Sequence, residues 1–478
     1  LNALEIVDLY ENEVAKISDQ VLSTYLFYLS VLKEKKIEFG DLLDNFFPTY
    51  KRQFIDTLNP VIDAFDPELI KSIIAPYIGY VWEKSREEGD KVALLGLIDL
   101  FWFIKPVESL IFINEEIQNL GVNPTEDLPS SVFLDALSPF SYADESNCNI
   151  AIELILDNLS KIPSDIAKVL TLFSNEYGFE HHSYLYAYGI QITIIDFLLR
   201  RISQSDDPIF SKLFLDLAKL YLQIQFRRTR DKGRRTVSIQ TFCLTPSQEL
   251  FALRKTVWDN FFRIAVTVHD EKYILKLIND YISSSIDDVY SELDHVRSII
   301  ENDAYAIVDW INRNLEPDNY LHSLVAKTYF QCLRQSGVSF GQQIAERFTN
   351  DTLTMVNTIV TDHRERRYLQ LDFQAYENVK HQELRDYFSA FDLEAYKNFI
   401  TQWEIVVSFK EWHSQDSQFS YIIEDIFRNL AERDVNLYLE VLEYYVHEGD
   451  KFSISLDTPI KTLFSVFNIE EVWDFICR

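Results

Sequence analysis

Hydrophobic positions recur every three to four residues along nearly the whole chain. The cleanest stretch is TPSQELFALRKTVWDNFFRI, where Leu250, Leu253, Val257, Phe261 and Ile264 fall on one helical stripe. Ahead of that stripe Thr245 is expected as the N-cap, Pro246 as the first helical residue, and Gln248 as the third-position partner of a capping box. Asp66-Pro67-Glu68 likewise predicts a helix start, with Leu69, Ile73, Ile74, Ile78, Val81 and Trp82 following at helical spacing. Comparable runs near 5–35, 90–104, 106–120, 163–177, 182–204, 207–226, 286–315, 317–335, 391–413, 417–432, 434–448 and 458–477 predict helix after helix. Short punctuation such as Gly89-Asp90 or Gly121 joins them. The expected fold is all-α, a degenerate helical-repeat array of the α-solenoid, HEAT- or TPR-like kind, with a compact all-α bundle as the alternative. No repeat consensus stands out, so a period of about 35 to 45 residues per helix pair comes only from the range of such families.

One segment breaks the helical period. In QFRRTRDKGRRTVSIQTF, residues 225–242, Val237, Ile239 and Thr241 alternate with Ser238, Gln240 and Phe242, and Asp231-Lys232-Gly233 is a turn signal. Upstream, Leu222, Ile224 and Phe226 also alternate, yet the helical stripe Phe210, Leu213, Leu217, Leu220, Ile224 passes through the same ground. A helix ending near Phe226 and followed by an exposed loop competes with a short β-hairpin, and the longer helical stripe favours the loop. The expected organisation is 1–226 as the N-terminal part of the array, 227–244 as a basic loop or hairpin insertion, and 245–478 as the C-terminal part.

Composition supports long helices. Only 11 Gly and 13 Pro occur in 478 residues, while apolar residues reach 47% and aromatics 14%, too rich for a disordered chain. The four cysteines are far apart and form no C-x-x-C pair, which fits reduced thiols in a cytoplasm. ALLGLIDLFWFI, 93–104, is interrupted by Asp99 and too short to span a bilayer, and the first residues have no signal-peptide character. A sequence whose only Met is Met355 reads as a piece of a longer polypeptide.

Charge makes the insertion stand out. The chain carries net −30 with 45 Lys+Arg against 75 Asp+Glu, yet Arg227, Arg228, Arg230, Lys232, Arg234 and Arg235 crowd into nine residues with Asp231 as the lone acid. These six are the expected contact for an acidic protein partner; the competing reading is a solvated loop folded onto the chain's own carboxylates. Nucleic acid is disfavoured because the surrounding negative field repels phosphate beyond the Debye length of about 8 Å. A second cluster, His363-Arg364-Glu365-Arg366-Arg367, holds its own acid and reads as a salt-bridged helix face. There is no G-x-x-x-x-G-K-[ST], no G-x-G-x-x-G and no H-E-x-x-H. His181 and His182 are adjacent, and on a helix their side chains would diverge by about 100°. No catalytic residue, cofactor or metal site is therefore expected, and an enzyme with an all-α active site is the third-ranked class.

Two stretches carry a family likeness. TVSIQTFCLTPSQELFALRKTVWDNF, with its strand-like SIQTF and a helix bearing Leu253-Arg254 and Trp258, resembles a segment of the C-terminal helical region of large bacterial STAND-type ATPases, several of which act in antiviral defence. NLYLEVLEYYVHEGD, 436–450, is similar to another segment of that region. The resemblance implies a cytoplasmic protein whose preceding part carries an effector and a P-loop ATPase, with this part as a sensor for a protein partner such as a viral or phage protein. A constitutive scaffold solenoid is the alternative.

Overall fold

In the computed structural model the described residues are 7–10, 14–17, 20–120, 130–205, 207–231, 237–268, 271–286, 293–359, 372–412, 418–447 and 457–476. They form an all-α fold with two short antiparallel hairpins. The chain divides into two units, Leu1–Tyr221 and Leu222–Arg478, so the division falls at the end of a helix and leaves the 225–243 segment with the second unit.

The first unit opens with strands β1 (Val7–Tyr10) and β2 (Val14–Ile17), paired from Val7↔Ile17 to Tyr10↔Val14. The sequence reading placed a helix here; apolar runs this short carry too few turns to fix a period, and Val7, Val14 and Ile17 are β-branched. Helix α1 (Gln20–Phe27) continues as a π-helical turn to Lys33, and α2 (Phe39–Ala64) kinks at Tyr50. Helix α3 (Pro67–Glu88) starts as the sequence predicts: Asp66 Oδ1 accepts from the backbone N–H of Glu68 at 3.0 Å and of Leu69 at 3.4 Å. Its buried stripe runs through Ile70, Ile74, Ile78 and Trp82, while Leu69 is exposed, one position off the expected face. Gly89 closes the helix at φ 71°, where a side chain would be strained, and Asp90 caps the next.

Helices α4 (Lys91–Phe101), α5 (Pro106–Asn119), α6 (Ser130–Leu137), α7 (Glu145–Lys161), α8 (Ile166–Asn175), α9 (Gly189–Gln204) and α10 (Pro208–Tyr221) follow. Alternate helices lie side by side: α4, α6, α8 and α10 in one row, α5, α7 and α9 in another. Each row buries its apolar stripe against the other, as with Ile113 and Ile117 of α5 and Ile152, Ile155 and Leu159 of α7.

The second unit begins with strands β3 (Gln225–Asp231) and β4 (Val237–Cys243) and continues through α11 (Gln248–Val268), α12 (Glu271–Ile286), α13 (Leu293–Asn314) and α14 (Tyr320–Gln335). Again alternate helices pair, α11 with α13 and α12 with α14. The N-cap of α11 is Ser247, whose Oγ accepts from the backbone N–H of Leu250 at 3.1 Å; the expected cap at Thr245 lies two residues too early. The stripe Leu250, Leu253, Val257, Phe261 and Ile264 is buried as expected.

Beyond a short turn α15 (Gln342–Ala345) come α16 (Asp351–Ile359), α17 (Phe373–Phe388), α18 (Leu393–Ser408), α19 (Gln418–Arg433), α20 (Val435–His447), α21 (Asp457–Val466) and α22 (Ile469–Ile476). Trp403, Phe427, Tyr438 and Tyr445 form the centre of their core. Arg433 donates to the carbonyls of Phe388, Ser389 and Phe391, which satisfies the open end of α17. Among the described residues no helix is long and apolar enough to cross a membrane.

Candidate functional site: a basic hairpin seated on a buried clamp

The competition between loop and hairpin resolves to the hairpin. Helix α10 stops at Tyr221, and the favoured helix to Phe226 is replaced by strand from Gln225. β3 and β4 pair antiparallel from Gln225↔Cys243 to Asp231↔Val237, with Arg228 opposite Gln240 and Arg230 opposite Ser238. Phe226 and Phe242 stack across the base with ring centroids 5.6 Å apart and planes 19° from parallel. Below them the Leu244 N–H donates to the Ile224 carbonyl at 3.2 Å, and Leu222, Ile224 and Leu244 are buried.

The reason the helix ends lies in α11. Arg254, one of the few buried charged residues, is 1% exposed and donates through Nη2 to the Leu222 carbonyl at 2.8 Å and through Nη1 to the Gln223 carbonyl at 3.0 Å. These acceptors are ones a helix end would otherwise leave open. The same guanidinium grips Asp303 of α13: Nε to Oδ1 at 3.1 Å, Nε to Oδ2 at 3.0 Å, and Nη2 to Oδ2 at 2.6 Å. Both side chains are out of solvent, at 1% and 0% exposure. Tyr281 of α12 donates its hydroxyl to Asp303 Oδ2 at 3.0 Å, and the Asn302 amide donates to Oδ1 at 3.3 Å. A wall of stacked rings, Trp258 on Phe262 and Phe262 on Trp310, stands beside the cluster, with Trp258 edge-on to Tyr281.

Burial alone would lower the Arg254 pKa, but the charge and hydrogen bonds of Asp303 raise it above its ordinary value, so the guanidinium stays ionised. Burial, reinforced by the Asp303 charge, holds the Tyr281 hydroxyl well above the usual range, which keeps it a donor. The cluster thus ties three helices to the two residues that lead into β3. Sequence reasoning missed it as a site, although a signal was present. Arg254 lies four residues after Leu250 and four before Trp258, and Asp303 four after Ile299 and four before Ile307. A charge in phase with a buried stripe marks each of the two residues as buried, without naming the partner it meets.

Of the six expected contact residues, Arg227, Arg228 and Arg230 lie in β3 itself, not at a bend. Arg228 and Arg230 are in register phase with Phe226, and Arg227 is in the opposite phase. Lys232, Arg234 and Arg235 fall outside the described residues, as does the cluster His363–Arg367.

His181 and His182 sit in a turn, not on the helix from which their divergence was argued. Their Nδ1 atoms are 3.4 Å apart, and His182 Nε2 meets Glu180 at 3.2 Å. Among the described residues no group of three or more His, Cys, Asp or Glu side chains is arranged to hold a metal.

Fold and site together define a two-unit, all-α helical protein that carries a β-hairpin of basic sequence on a buried ionic clamp. No family model matches the chain, and neither a curated protein nor a solved structure matches it.

Proposed function

We propose that this chain is the ligand-recognition region of a larger cytoplasmic signalling or antiviral-defence ATPase, with the β3–β4 hairpin as its contact for an acidic protein surface. The observation that carries the reading is the clamp. A solvated connection has no need of a buried ion pair beneath it, whereas a recognition element gains from a base that is already ordered before the partner arrives. Six cations within nine residues of sequence that begins on this base, in a chain of net −30, make a local attractive spot within a repulsive field. Helical arrays commonly serve as recognition surfaces, and the resemblance to STAND-type sensor regions points the same way.

The test replaces Arg228, Arg230, Arg234 and Arg235 with Ser. On this reading the four charges face solvent, and thermal stability is expected to stay within about 1 kcal/mol. Capture of a fluorescent Glu-rich peptide, followed by stopped flow, is expected to slow by about tenfold or more at low salt, with the difference fading as salt is raised. Loss of folding would make the arginines internal struts, and an unchanged capture rate would make the hairpin a plain connection. Preferential capture of duplex DNA of equal charge would move the partner to nucleic acid. The sequence upstream of this chain separates sensor from scaffold: a P-loop motif there supports the switch, and a continuous helical array supports the scaffold.

A further inference from the structure

Away from the hairpin, the row formed by α5, α7 and α9 carries a trough on its solvent side. Val107 and Ile111 of α5 and Ile150 of α7 line it at 54%, 52% and 45% exposure, over a floor that includes Leu110 and Leu154, with Phe197 of α9 as the far wall. Its volume is about 460 Å³. A single exposed aliphatic residue is ordinary; three around one apolar trough are not. These side chains are also surplus to the core, since α5 and α7 already bury Ile113, Ile117, Ile152 and Ile155 on their inner stripes. Val107 and Ile111 are one helical turn apart, the spacing at which an apposed helix presents its own anchors.

Charge selects the occupant. From Lys105 to Lys161 there is no intervening Lys or Arg, while ten Asp and Glu fall in the same span, which includes the whole of α5, α6 and all but the last residue of α7. Among the described residues Glu115 and Glu145 show no ion pair. The α9 wall does carry cations, but they are already engaged. Arg200 and Arg201 reach Glu153 at 3.3 and 3.1 Å, Arg201 reaches Asp157 at 2.6 Å, and the Arg200 guanidinium lies 4.7 Å from the centre of the Phe197 ring. Lys91, Lys105 and Lys168 likewise reach Glu116, Glu108 and Asp135 at 2.9, 3.7 and 2.8 Å, so the acid excess beside the apolar floor rests, among the described residues, on Glu115, Asp144 and Glu145. A second copy of a chain with net −30 is the wrong occupant.

We propose that this trough docks a basic amphipathic helix of a partner protein, with the helix's aliphatic face on Ile111 and Ile150 and its Lys or Arg flank toward α5 and α7. The site is separate from the hairpin and does not depend on the hairpin's role.

The experiment titrates the whole chain into a fluorescent amphipathic Leu/Lys peptide and follows anisotropy, alongside a Leu/Glu peptide of the same pattern and a scrambled Leu/Lys peptide of the same composition. The patterned Leu/Lys peptide alone is expected to bind tightly. The variant Ile111→Ser/Ile150→Ser keeps the net charge and is expected to weaken binding about tenfold or more, equivalent to about 1.4 kcal/mol. The hairpin variant described above should bind it normally. Equal binding of the scrambled peptide, or an undiminished affinity in the Ile111→Ser/Ile150→Ser variant, would reduce the effect to general adhesion on an acidic surface and overturn the proposal. So would equal binding of the Leu/Glu peptide, or no binding. Both isoleucines are about half exposed, and circular dichroism checks that the variant folds; if it does not, Val107→Ser supplies the same readout.

Discussion

At the scale of single residues the molecule turns on Arg254. A buried guanidinium that holds one carboxylate and two carbonyls is costly to remove, because the carbonyls then lose this donor and Asp303 its counter-charge. Arg254→Met is expected to destabilise the fold by about 3–5 kcal/mol, read from urea unfolding, with Asp303 left as an uncompensated charge. Arg254→Met combined with Asp303→Leu should cost clearly less than the sum of the two single changes, since the pair is coupled. Additive losses would show that the two side chains act separately. The stripe that buries Arg254 was legible in the sequence, and the residue itself was in view within LRKTVW. What was not legible was its partner, because Asp303 lies 49 residues away and only the packing of α11 on α13 brings them together. The caps show the same division. Asp66 follows a local rule and was readable, whereas the choice of Ser247 over Thr245 depends on where α11 begins, two residues beyond the expected cap.

At the scale of elements the two hairpins mark where periodicity loses its power. Long stripes such as those of α3 and α11 repeat often enough to exclude a strand, but Val7–Tyr10, Val14–Ile17 and Gln225–Phe226 are too short to do so. At 225 the decision is made by a tertiary contact, the capture of the Leu222 and Gln223 carbonyls, which no local pattern encodes. The Phe226–Phe242 stack is a cross-strand aromatic pair one position from the start of the ladder, and such pairs contribute about 0.5–1.5 kcal/mol beyond their buried area. Phe242→Ala is therefore expected to speed hydrogen exchange of the β3 and β4 amides by about fivefold to tenfold while leaving those of α11 and α13 unchanged. Faster exchange throughout α11 would mean that hairpin and helices open as one unit.

At the scale of the whole molecule the interior is unusually rich in tyrosine. Tyr177, Tyr221, Tyr281 and Tyr329 are nearly or wholly buried, and burial raises each hydroxyl above its ordinary value. The sign of the linkage is fixed by that direction. These groups stay neutral in the folded chain but ionise in the unfolded chain near pH 10, so their contribution to stability is complete below that pH and is lost as pH rises above it. Tyrosinate absorbance is expected to rise in two stages. The later stage, that of the buried set, appears only together with loss of helical dichroism. A single smooth titration with the helices intact would contradict this burial. The all-α class was legible from the scarcity of Gly and Pro and the succession of stripes; the repeat period was not, because helices from the four residues of α15 to the 26 of α2 share no common length.

The position of the clamp has one more consequence. Arg254 grips the backbone carbonyls of Leu222 and Gln223, which lie ahead of β3. A main-chain acceptor is present whatever residue stands at those two positions, so the hydrogen bonds that anchor the start of the hairpin are written into Arg254 and not into the residues it holds.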